Sequence, residues 1–182
     1  DQSALCRRKG RKITHKIETW RGKDTMQTAG LVKAKYDAVS EYPAEKPSEI
    51  MVDSIGIGAG VVDRLREMGL PARGVNVAES ASVDMLYSRL RDELWFSARD
   101  FFDKKDVTMT NDEDFIEEMC SVKYAYTSLG KLKVESKDEM KKRGLPSPDL
   151  ADAFCLTLAY ESIGGNDGGW GKKLEYPDLN LA

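Results

Sequence analysis

Three apolar residues in a row, Ile50-Met51-Val52, are closed by Asp53 and followed by Gly56, Gly58 and Gly60; no other stretch constrains this chain as much. A short apolar run bounded by turn residues suits a buried strand, here residues 49–53. The glycines make a loop, Val61 to Met68 a helix ended by Gly69, and Arg73 to Val77 the next strand. Strand, helix and strand in immediate succession imply two parallel strands joined by a right-handed crossover, so the fold class is α/β. Open α/β sheets place ligands beyond the carboxyl ends of their strands, and Asp53 stands at such an end. It can serve there as an oxygen ligand to a hard cation such as Mg²⁺, or simply cap the glycine loop.

The other elements follow from local signals. Residues 3–9 and 12–20 flank Gly10-Arg11 as a hairpin. Residues 24–40 form a helix with Asp24 as N-cap, and a proline-containing loop with Pro43 and Pro47 follows. Residues 82–99 carry Val83, Leu86, Leu90, Leu94 and Trp95 on one side of an amphipathic helix. A brief strand at 107–109, a helix at 113–120 and a second hairpin, 124–126 with 132–134 around Gly130, come next. Ser136 and Glu139 form a capping box for a short helix that Gly144 ends. Ser147 and Pro148 then open the last helix as N-cap and first turn, burying Leu150, Ala151, Phe154, Cys155 and Leu158. The expected organisation is one domain over 1–162 and a flexible Gly-rich tail over 163–182.

A second pair of acids, Asp149 and Asp152, lies three residues apart and so shares one helix face. Acids in a first turn are favoured by the helix dipole, by ~0.3–1 kcal/mol each, which accounts for one of them without further function. Two in an otherwise apolar helix are harder to dismiss, and Asp149 sits where it can face a crevice. The loop Gly56-Ile57-Gly58-Ala59-Gly60 is GxGxG and not the dinucleotide-binding GxGxxG, and an acid precedes it where pyrophosphate would be repelled. A nucleotide-binding oxidoreductase is therefore the weaker alternative, and a tight turn allowing close backbone approach the simpler one.

Composition narrows the classes. The chain has 182 residues, 41% hydrophobic and 32% charged, as a soluble globular domain does. No apolar run approaches the roughly 20 residues of a membrane span. The polar, basic start is no signal peptide, and the opening at Asp1 suggests a piece of a longer protein. Three separated cysteines, Cys6, Cys120 and Cys155, suit free thiols in a reducing compartment. The single histidine, His15, lies among Arg11, Lys12 and Lys16 as a solvated strand residue. A net charge of −3 means that any nucleic-acid contact must come from local clusters. Two exist: Arg7, Arg8, Lys9, Arg11 and Lys12 around the first turn, and Lys137, Lys141, Lys142 and Arg143 leading into Asp149.

Three stretches carry a family resemblance. Val52-Asp53-Ser54-Ile55-Gly56-Ile57-Gly58-Ala59-Gly60-Val61 resembles the second acidic motif of phage terminase large subunits. Glu135 to Gly144, followed by Ser147-Pro148-Asp149-Leu150-Ala151-Asp152-Ala153, resembles the third, and Arg89 to Trp95 is similar to the helix between them. The resemblance runs from Asp1 to about Ser162. It implies a ribonuclease H-like mixed sheet flanked by helices, with a truncated first strand. It implies a Mg²⁺- or Mn²⁺-dependent endodeoxyribonuclease that cuts concatemeric DNA by two-metal hydrolysis. Asp53 and Asp149 would be the catalytic metal ligands, Asp152 a neighbouring one, and Lys137, Lys141, Lys142 and Arg143 the phosphate grip. The family's first acid would lie upstream of Asp1. The implied partners are double-stranded DNA, a portal protein, a small terminase subunit and a preceding ATPase domain, in the host bacterial cytoplasm. A DNA- or portal-binding module without cleavage is the alternative.

Overall fold

The computed structural model describes residues 2–39 and 46–159. The expected tail, and the loop segment around Pro43, lie outside these residues. The chain opens with an interrupted antiparallel hairpin: β1 (Ser3–Leu5) pairs with β4 (Glu18–Trp20), and β2 (Arg8–Lys9) with β3 (Lys12–Ile13). Its turn is at Gly10, whose φ of +56° needs glycine. Helix α1 (Thr25–Asp37) starts on a full capping box, with Asp24 accepting from the amide of Gln27 and Gln27 returning to the amide of Asp24.

The crossover unit forms as its sequence dictates. β5 (Ile50–Asp53) and β6 (Ala72–Val75) pair in parallel, with Asp53 opposite Val75, and α2 (Gly58–Glu67) joins them. The helix begins three residues earlier than the apolar pattern implies, because the glycines themselves form its first turn. Ala29, Val32, Val61, Leu65, Leu70 and Ala72 make a small core there.

The main core lies among α3 (Leu90–Asp103), α4 (Glu113–Ser121) and α6 (Asp149–Leu156). Phe154 of α6 is fully buried, with its ring 5.3 Å from those of Phe101 and Phe102 and 5.5 Å from that of Phe115. All five apolar positions expected to be buried in the last helix are buried. Between α4 and α6 the hairpin β7 (Tyr124–Tyr126) and β8 (Leu132–Val134) turns at Gly130, and α5 (Lys137–Lys142) stands on its Ser136–Glu139 capping box.

Three expectations are corrected. The helix expected over 82–99 begins only at Leu90. The preceding segment spends its backbone elsewhere: Ser82 donates to the buried Glu93 carboxylate, and Leu86 and Ser88 bond to Leu132. The strand expected at 107–109 is a single bridge between Lys12 and Thr108. Among the described residues the strands form four two-stranded ladders, not one extended mixed sheet, because most are only two or three residues long. The three cysteines are free thiols, and His15 is exposed, with its Nδ1 beside the Thr14 hydroxyl. Among the described residues no helix is long and apolar enough to cross a membrane.

Candidate metal centre

The sequence delivers Asp53 at the end of β5 and Asp149 at the start of α6; α6 packs against β5, and Asp53 feels the charges of Asp152, Lys137 and Arg91. Asp53 uses one oxygen to accept from the amide of Ile55, 3.1 Å away, so it also caps the glycine loop. The loop is held hard against its carbonyl: a Cβ on Gly58 would sit 1.7 Å from the Asp53 oxygen. Partial burial pushes the Asp53 carboxyl up from its ordinary range, and the charge of Asp152 adds to this. The Ile55 amide, Lys137 and Arg91 pull the other way.

Asp149 is buried and satisfied on both oxygens. The amide of Gln2 donates to Oδ2 at 2.9 Å; the Ser147 hydroxyl and the Lys137 ammonium donate to Oδ1 at 2.7 and 3.0 Å. Burial works against its charge, but these donors together outweigh burial and hold the carboxyl below the usual range. Ser147 is thus not the helix cap its position suggests, since it donates to Asp149. The amides of Leu150 and Ala151 go instead to Oε2 of Glu118 on α4, at 2.8 and 2.9 Å. Burial of Glu118, with Asp149 and Asp152 near it, pushes its carboxyl up to about 7 against the pull of those two amides.

Asp152 is the most heavily engaged acid. Its Oδ1 accepts from Arg91 Nε at 3.3 Å, Arg91 Nη2 at 3.2 Å and Trp95 Nε1 at 3.0 Å. Its Oδ2 lies 3.4 Å from the Lys137 ammonium. Lys137 therefore bridges Asp149 and Asp152. Burial disfavours its charge, but the two carboxylates outweigh burial and raise its pKa. Arg91 also donates to the Glu135 carbonyl, tying α3 to the end of β8.

The basic segment 137–143 is not a single face. Lys137 points into the acids, and Arg143 is fixed to Glu135 by two bonds of 2.7 Å and to the Ser121 carbonyl at 2.8 Å. Lys141 and Lys142 are exposed. Sequence reasoning missed Arg91, Trp95 and Glu118 as parts of the site. The first two lie inside the quoted Arg89–Trp95 string, while nothing local marks Glu118. An apolar cavity of about 440 Å³ along α3 and α4 is lined by no carboxylate and is not this site.

The donor set suits a hard cation: carboxylate oxygens with no soft ligand among them. Three acids, Asp53, Asp149 and Asp152, stand near two cations, Lys137 and Arg91, so the cluster keeps a net negative charge that a bound cation would offset. Among the described residues no three acid, histidine or cysteine side chains are grouped closely enough to hold an ion as they stand.

No family model matches the chain, and no curated protein does. Solved structures do. The nuclease domain of the large terminase subunit gp2 of bacterial virus Sf6 aligns over 86% of this chain and 82% of its own, with a TM-score of 0.66 and 19% identity. A mutant of that domain with manganese and beta-thujaplicinol aligns over the same shares, with a TM-score of 0.65 and 18% identity. The large terminase nuclease from thermophilic phage G20c with bound cobalt aligns over 87% of this chain and 81% of its own, with a TM-score of 0.59 and 16% identity. The fold of this chain is that of the nuclease domains of phage large terminase subunits.

Proposed function

We propose that this chain is a divalent-metal-dependent nuclease domain of a DNA-packaging terminase, hydrolysing phosphodiester bonds of double-stranded DNA. The observation that supports the reading is the Lys137 ammonium shared by Asp149 and Asp152, with Asp53 within reach of their charges, in a fold whose solved relatives include forms with manganese, cobalt and magnesium. Asp53 and Asp149 would hold the metal, with Asp152 contributing through Oδ2. When bound, Mg²⁺ or Mn²⁺ supplies an activated water and stabilises the leaving oxygen.

The chain's own residues do the rest. Gln2 and Ser147 keep Asp149 ionised and oriented. Arg91 and Trp95 hold Asp152 by one oxygen and leave the other turned toward Lys137. The Lys137 ammonium offsets the acids' mutual repulsion and is positioned to meet a phosphate's charge. Lys141 and Lys142 offer sequence-independent phosphate contact that weakens with salt. The same setting favours a portal, a small subunit and an ATPase domain as packaging partners in a bacterial host.

The test is relaxation of supercoiled plasmid DNA with Mn²⁺, with Mg²⁺ and with EDTA. The expected result is cutting that needs metal and is lost in Asp53→Ala and Asp149→Asn. Equal cutting by wild type and Asp53→Ala sinks the proposal. One observation favours a second reading, a DNA- or portal-binding module without cleavage: Lys137 already lies between Asp149 and Asp152. That reading wins if the protein retards DNA yet cuts at no Mn²⁺ concentration.

A further inference from the structure

Helix α6 begins in an unusual way. Its first amides need acceptors, since a helix leaves them without partners of its own. Leu150 and Ala151 are buried, so water is poorly placed to serve them. The residue with the right chemistry nearby, Ser147, is committed to Asp149. No side chain from the helix's own N-terminal flank caps it. The acceptor comes from a different helix: one oxygen of Glu118, 32 and 33 residues away in sequence, takes both amides.

We infer that Glu118 is a positioning residue for the metal centre, fixing the first turn of α6 so that the Asp149 carboxylate is held in ligating position. The inference rests on the nuclease reading above. Glu118 touches neither Asp149 nor a reacting atom. It acts through the two residues that follow Asp149, whose backbone sets where that side chain emerges. The Asp149 carboxylate itself accepts from the amide of Gln2, so two segments distant in sequence hold the start of α6. Loss of the Glu118 acceptor would leave two buried amides unpaired and let the turn fray, and Asp149 would drift from Gln2.

Partners that orient metal ligands typically matter by 10–100-fold in affinity. The experiment compares wild type, Glu118→Gln and Glu118→Ala in two ways. Mn²⁺ affinity is measured by calorimetry, and hydrogen exchange of the Gln2 amide is measured without metal, referenced to the Ala98 amide in α3. Glutamine keeps an acceptor oxygen, so Glu118→Gln should hold Mn²⁺ within about threefold of wild type and keep Gln2 protected. Glu118→Ala should bind Mn²⁺ at least tenfold more weakly and lose protection at Gln2 while Ala98 stays protected. Unchanged Gln2 protection in Glu118→Ala overturns the inference. So does a glutamine variant as weak as the alanine one, which would assign Glu118's effect to charge. Should wild type take up no Mn²⁺, the nuclease reading fails, while the Gln2 exchange still decides the positioning role.

Discussion

Replacing Gly58 by alanine sets two physical effects against each other, and the structure says which wins. Gly58 opens α2 without a left-handed φ, so helix propensity alone favours alanine by ~1 kcal/mol. Its Cβ, however, would lie 1.7 Å from the Asp53 carbonyl oxygen and 2.9 Å from the Asp53 carbonyl carbon. Both clashing atoms are backbone, at the end of a paired strand, so no flexible side chain can swing away. Overpacking by one methyl usually costs ~1–3 kcal/mol, and this overlap belongs at the upper end. The net expectation is a loss of ~2 kcal/mol, or ~4–8 °C in Tm for a domain of this size. Gly60 is the internal control: its Cβ would meet Thr25 Cγ2 at 3.4 Å, an ordinary contact, so Gly60→Ala should be neutral or stabilising by up to ~1 kcal/mol. Urea and thermal unfolding of the three proteins measure both. Gly58→Ala should also cut DNA poorly, because the strain falls on the residue that carries the Asp53 carboxylate. A Gly58→Ala protein as stable as Gly60→Ala would refute the reasoning.

Further expectations follow from the same cluster. Lys137→Met removes the cation shared by Asp149 and Asp152, so thermal stability without metal should fall, and added Mn²⁺ should restore more of it than in wild type. Glu118 titrates near 7 in the folded chain, above the 4.5 of the ordinary glutamate side chain, so between these values the folded state binds more protons than the unfolded one. Its contribution to stability is therefore lost as pH rises from about 4.5 to about 7 and is flat beyond; Glu118→Gln should remove that slope in pH-dependent unfolding. Arg143→Ala breaks the ties to Glu135 and Ser121 and should lower Tm without changing the salt dependence of DNA binding. Lys142→Ala should do the reverse, reducing the slope of log affinity against log salt by about one phosphate contact.

What could be read from the sequence was local. Asp53 stood at the end of an apolar strand and Asp149 at the start of a helix, and each element formed where its turn residues and apolar pattern put it. The crossover around α2 and both hairpins followed in the same way. What failed was nonlocal. The stripe from Val83 to Trp95 has helical spacing, but Glu93 and β8 claim the backbone before Leu90, and periodicity carries no record of such bonds. Ser147 had the right residue type for a cap, yet an adjacent buried carboxylate competed for its hydroxyl. Glu118 lies among other acids on an exposed-looking helix, and only packing of α4 on α6 reveals which of them matters. The basic run 137–143 looked continuous in one dimension, while in three its first member turns inward and its last is bound to Glu135.

The hold on the start of α6 also bears on how the molecule folds. It comes from Gln2 and from Glu118, with 147 residues separating Gln2 from Asp149, so closing it costs loop entropy that local elements such as the β5–α2–β6 unit avoid. Such contacts are expected late on the folding path, after the helices have found one another. Partly folded chains would then carry all of the acids and none of the site. A bound ion would favour the last step over every earlier state, stabilising only the completed fold in proportion to the logarithm of its concentration.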